Sequence, residues 1–101
     1  LAALLDRGVR PDVVVFSNDD MAVGGVFHCL AAGLAPKRDL ALFGFNGLDI
    51  GQALPTPLST LLSHRFRVGE DATRLILAAA ARPAGPVVVD TGFEIIEGAT
   101  A

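Results

Sequence analysis

Two amide side chains stand where a ligand could be held. Asn18 follows the apolar run Val13-Val14-Val15-Phe16-Ser17, and Asn46 follows a second run from Leu40 to Phe45. Short unbroken apolar runs read as strands of an open α/β sheet, and such sheets bind ligands outside the carboxyl ends of their strands. A carboxamide both donates and accepts hydrogen bonds, which suits polyhydroxylated ligands such as sugars. Each residue also has a plainer reading, Asn18 as the cap of the helix that follows and Asn46 as a turn residue.

Catalytic chemistry has less to stand on. The chain has no nucleophile elbow, no Walker loop and no dinucleotide fingerprint, and Gly24-Gly25 falls inside a helical pattern where it cannot cradle a phosphate. His28 reads as a partly exposed helical residue. His64 could line a cleft near an extended segment, although a plain surface position explains it more simply. Two histidines and one cysteine do not build a metal site. The expectation is a protein that is not an enzyme, with no catalytic residue, no metal and no cofactor.

The elements that must position the two amides follow from pattern. Leu1-Ala2-Ala3-Leu4-Leu5 reads as the tail of a helix that Gly8 caps and Pro11 keeps from resuming. The opening on Leu1 suggests a fragment of a longer protein. The first strand, an apolar run suited to burial on both faces, delivers the chain to Asn18-Asp19-Asp20. That triplet supplies a cap and two carboxylates for the start of a helix running to about Leu30–Ala32. The second strand ends in the tight turn Gly44-Phe45-Asn46-Gly47. Asp49 could cap one short helical turn, and Leu58 to Leu62 is extended after the Pro55-Thr56-Pro57 stretch. Val68, Ala72, Leu75, Ile76 and Ala79 then form one apolar stripe on a helix from about Arg65 to Ala81, ended by Pro83. Glu70 and Arg74 are spaced as a favourable ion pair on its exposed side. Val87–Val89 and Phe93–Glu97 read as two last strands. Strands alternating with helices argue for an α/β domain with a mainly parallel sheet flanked by helices.

Composition bounds the function. The chain has 101 residues, of which 51% are hydrophobic and 19% charged, enough apolar material for a core and too much for disorder. The net charge is −3 and the basic residues are scattered, densest at Lys37-Arg38 and Arg65-x-Arg67, so this stretch does not present the basic face that nucleic acid demands. Cys29 is the sole cysteine, which excludes an intrachain disulfide and fits a buried thiol in a reducing, cytoplasmic setting. No apolar run reaches the ~20 residues of a membrane helix, so no membrane partner is expected.

Four segments resemble one family in their order and spacing. Phe16-Ser17-Asn18-Asp19-Asp20-Met21-Ala22-Val23-Gly24 resembles the Asn-Asp-x-Met-Ala-x-Gly segment of the lactose-repressor (LacI/GalR) family of bacterial transcription regulators. Leu40-Ala41-Leu42-Phe43-Gly44-Phe45-Asn46-Gly47 is similar to its strand and turn, and Pro57-Leu58-Ser59-Thr60-Leu61 to its Pro-Leu-Thr-Thr segment. Val68-Gly69 sits like the opening of its last long helix. The resemblance covers residues 1 to 101, which read as one C-terminal piece of an effector-binding domain without the DNA-reading domain.

What the resemblance implies is specific. The fold would be that of type I periplasmic binding proteins, two α/β lobes hinged around a ligand, with this chain holding mostly the second half of the C-terminal lobe. Leu58–Leu62 would be a crossover, and the helix after it would pack on the other lobe. The function would be effector sensing in a repressor that responds to a sugar or sugar acid. Operator DNA would be read through a domain absent from this chain. Asn18 falls on the family's effector-contacting Asn. Asn46 falls where the family usually has an Asp, and a neutral amide removes a carboxylate's repulsion towards an anionic ligand. The wording Gly44-Phe45-Asn46-Gly47-Leu48-Asp49-Ile50-Gly51 is most similar to the gluconate-repressor branch. Val23, Phe27 and Leu54 are candidates for a homodimer interface, with burial inside the chain as their alternative. A periplasmic sugar-binding protein of the same fold is the competing function.

Overall fold

The structure, a computed structural model, describes residues 1–78 and 85–101. Its elements run α1 (Ala2–Asp6), β1 (Val13–Val15), α2 (Asp19–Ala31), β2 (Ala41–Phe45), α3 (Asp49–Gln52), β3 (Ser59–Ser63), α4 (Arg65–Leu77) and β4 (Phe93–Ile96). The strands form one sheet in the order β1-β2-β3-β4. The first three are parallel and β4 is antiparallel to β3. This is the α/β architecture with a mainly parallel sheet that the alternation of elements predicts.

The strand order decides which face is covered. Because β1, β2 and β3 advance in one direction and crossovers are right-handed, the connecting helices α2 and α3 fall on the same face of the sheet. There Ala22, Val26 and Cys29 of α2 meet Leu40, Leu42 and Leu58, all buried, with Val14, Phe16, Leu34 and Leu54 packed around them. The opposite face is largely open among the described residues, although Ser59 on it is buried beneath Gly98 and Ala101. Val13 is 50% and Val15 67% exposed, and Phe45 also faces out. The expectation that β1 is buried on both faces is therefore corrected: within this chain its side chains alternate out, in, out.

Two further expectations change. Val87–Val89 is extended but pairs with no strand among the described residues, and Val88 is 92% exposed. β propensity favours an extended backbone and does not by itself supply a pairing partner. On α4, Arg74 bonds Asp71 at 3.2 Å in place of Glu70, because the Asp71 carboxylate lies between Arg74 and Arg67, 3.7 Å from the latter. Asp49 is the first residue of α3 and Leu48 its cap position. The helix expected to Ala81 is seen to Leu77; Ala79 and Pro83 lie outside the described residues.

The chain's end is tied into the sheet at its other rim. Thr100 is fully buried between β2 and β3, where its hydroxyl donates to the Leu42 carbonyl at 2.7 Å and accepts from the Ser59 amide at 2.9 Å. The Leu42 amide donates back to the Thr100 carbonyl at 2.8 Å. This clasp holds the ends of β2 and β3 remote from the amide-bearing turns.

Candidate functional site

Register brings the two amides level. Val15 of β1 pairs with Phe43 of β2, and Asn18 and Asn46 each lie three residues beyond their member of that pair. Adjacent strands are roughly 4.8 Å apart, so the two turns stand side by side at the carboxyl edge of the sheet. The next strand adds a residue that sequence reading passed over. Ser63, the last residue of β3, donates its hydroxyl to the Asn46 side-chain oxygen at 3.2 Å.

Each amide is oriented by a bond it makes itself. Asn18 is extended and caps α2, its Oδ1 accepting from the Met21 amide at 2.8 Å. Asn46 has φ +105° and Gly47 φ +67°, two successive residues in the left-handed region. Asparagine tolerates that region better than most residues, yet the conformation costs about 1–3 kcal/mol and persists only where its surroundings hold it. The Asn46 amide donates to the Leu61 carbonyl at 2.8 Å, which fixes the start of the turn. With both side-chain oxygens engaged, neither NH₂ group has a partner among the described residues. The arrangement suits a ligand rich in acceptors, such as hydroxyls or a carboxylate.

Beneath the turns lies Asp19, fully buried. From sequence it reads as a charge favouring the helix start. In the structure one carboxylate oxygen accepts from the Thr60 hydroxyl at 2.6 Å and the other from the Leu48 amide at 2.5 Å. Gly44 makes room for it: a Cβ there would collide with the Asp19 carboxylate and the Leu58 side chain.

Of the other residues singled out from sequence, His64 precedes α4, lies 3.6 Å from Glu94, and lines a cleft of about 730 Å³ between the end of β3 and α4. Ser63 shares that cleft with Arg65, Arg67 and Arg74, whereas Asn18 and Asn46 do not line it. His28 is half-buried in the last turn of α2. Cys29 is buried in the core, and burial pushes its thiol pKa up. Val23 is buried and Leu54 packs on the core cluster, while Phe27 is 56% exposed on the outer side of α2. No group of three or more metal-ligating side chains occurs among the described residues, and no helix there is long and apolar enough to cross a membrane.

Comparison with known proteins gives this geometry a context. Residues 1–101 match the family described as periplasmic binding protein-like domain. The HTH-type transcriptional regulator GntR of Escherichia coli K12 is 39% identical over 88 residues, 86% of this chain and 27% of that protein. A lactose operon repressor of Rhizobium radiobacter is 39% identical over 75 residues, 74% of this chain and 66% of that protein. A LacI family transcriptional regulator from Lactobacillus casei, solved with bound glucose, superposes with a TM-score of 0.75 at 26% identity, covering 93% of this chain and 33% of its own. These relatives are regulators rather than enzymes, and the chain spans about a quarter of the length of GntR (27%).

Proposed function

The chain belongs to the family of periplasmic binding protein-like domains carried by regulators of the lactose-repressor type, and from that premise we propose that its strand-end turns form part of an effector site for a sugar or sugar acid. One observation carries the reading. Asn18 and Asn46, 28 positions apart in sequence, are brought level by the Val15–Phe43 pairing, each with its oxygen satisfied and its NH₂ group free to donate. The glucose bound to the Lactobacillus casei regulator shows that a protein of this fold takes a sugar. The amide at position 46 favours an acid such as gluconate, since it offers donors to a carboxylate where an aspartate would repel it.

In the intact protein the site would control a DNA-reading domain outside this chain, and the working unit would be a homodimer on operator DNA. Phe27 is the interface candidate with surface to offer. Val23 and Leu54 contribute from inside the chain, by supporting α2 and the loop after α3. A periplasmic sugar-binding role gains no support from the relatives, which are transcription regulators.

The test is isothermal titration of the intact protein with gluconate and with glucose. Asn18→Ala should cost about 1–3 kcal/mol of affinity for the bound effector, because it leaves a desolvated ligand group without its partner. Asn46→Asp should move the preference from the acid towards the neutral sugar. Unchanged affinity in the Asn18 variant removes that residue from the site, and an unchanged acid-to-neutral ratio in the Asn46 variant removes the sugar-acid reading.

A further inference from the structure

The buried carboxylate under the site has a task beyond holding the fold. We propose that Asp19 is the positioning residue that holds Asn46 at its working distance from Asn18. The inference rests on the effector reading above. Asp19 is the chain neighbour of Asn18, so its backbone is fixed to the first amide. Its Oδ2 accepts from the Leu48 amide, two residues beyond Asn46, and its Oδ1 from the Thr60 hydroxyl on β3. One side chain thus joins the turn after β1, the turn after β2 and the strand that carries Ser63.

The turn it holds needs holding. Asn46 and Gly47 both have positive φ, a conformation that relaxes if either end is released. The Leu61 carbonyl secures the Asn46 amide, and Asp19 secures Leu48 on the far side of the strained pair. Gly44, with no side chain, lets the carboxylate lie against β2. The residues involved are shaped around the contact, since a larger residue at 44 would displace the carboxylate and with it the turn.

A double-mutant cycle on the intact protein separates positioning from general stability. Titration with gluconate and with glucose is carried out on Asp19→Ala and Asn46→Gly, singly and together; glycine is chosen because it accepts the φ of position 46. If Asp19 acts through Asn46, Asp19→Ala should weaken the better ligand about 10- to 100-fold when Asn46 is present and less than about threefold when it is glycine. Asp19→Asn should restore binding to within about threefold, because its amide oxygen can accept from Leu48 while its NH₂ donates to a reoriented Thr60 hydroxyl. Should Asp19→Ala fail to fold, Asp19→Ser carries the same comparison, its hydroxyl being too short to reach both partners. Equal losses in the two backgrounds, with Asn46→Gly itself weakening binding, overturn the role of Asp19 and leave the effector site standing. An Asn46→Gly protein that binds both sugars unchanged overturns the site itself.

Discussion

The two faces of one sheet have opposite fates in this chain. On the face beneath α2 and α3, Leu42 and Leu58 are fully buried and Asp19 and Thr60 share a hydrogen bond away from water. On the other, Val13, Val15 and Phe45 point outward, and α4 has no buried residue along its length. The apolar patterns do not foretell this. The stripe on α4 is the sharper of the two helical patterns, while α2 scatters apolar residues around its circumference, yet α2 is the one that is covered. An apolar stripe states that a face is built to be covered and is silent about what covers it. The radius of gyration, 18.0 Å, exceeds the roughly 13 Å of a compact domain of this length, and α4, with no buried residue, stands away from the core.

Leu58 gives the widest contrast between the faces. It touches the space beside Gly44 and Gly51, and its backbone is bonded to Gly51 and Gln52 of α3. Leu58→Ala should destabilise the intact protein by about 2–5 kcal/mol, from lost transfer energy and the cavity left behind. Denaturant unfolding measures it, and a loss under about 1 kcal/mol would mean that the covered face is not the main core.

The exposed side should behave differently in the chain and in the intact protein. Phe66 is 84% and Ile76 73% exposed. In the isolated 101-residue chain, Phe66→Ser and Ile76→Ser should each change stability by less than about 0.5 kcal/mol while reducing self-association in sedimentation. In the intact protein each should cost about 1–3 kcal/mol, the value of covering a large apolar side chain. Equal effects in the two settings would show that the rest of the protein leaves α4 uncovered. A sharp, concentration-independent unfolding of the isolated chain as a monomer would show that α4 finds its cover internally.

The smallest expected effect lies at an exposed carboxylate, Asp39, in contrast to the buried Asp19. Asp39 takes two hydrogen bonds from Arg38, at 2.9 and 2.8 Å, and one from the Ala35 amide at 2.8 Å. The Arg38 bond is the chief reason its pKa falls to about 2 from 3.8. A value depressed by folding means that this contribution is present above pH 3.8 and is lost as the pH falls towards about 2. Carboxyl NMR should find that midpoint near 2 for Asp39 in the parent protein. An Arg38→Ala protein should titrate closer to the ordinary value, and an unshifted Asp39 in the parent would count against the pairing.

These two carboxylates also show where sequence is legible. The partners of Asp39 lie within four residues of it, so proximity along the chain is enough to find them. The partners of Asp19 lie 29 and 41 residues away, and nothing in the Asn18-Asp19-Asp20 triplet marks the first carboxylate as buried and the second as exposed. Ser63 is unmarked for the same reason, since a serine at the end of an extended segment has no local signal. Val87–Val89 has the side chains of a strand, and its pairing depends on a partner segment that local propensity does not supply.

By itself the sequence determined the order of helices and strands apart from Val87–Val89, the starts of α2 and of the turn at Asn46, and the family whose motifs these are. Those features are settled by interactions within about one helical turn or between neighbours in the chain. Tertiary structure alone decided that Asn18 and Asn46 stand level, that Asp19 lies beneath them, that Thr100 locks the far rim, and that one face of the sheet is largely open. Each depends on strand register and crossover hand, and these are fixed by contacts between segments that the chain brings together only by folding.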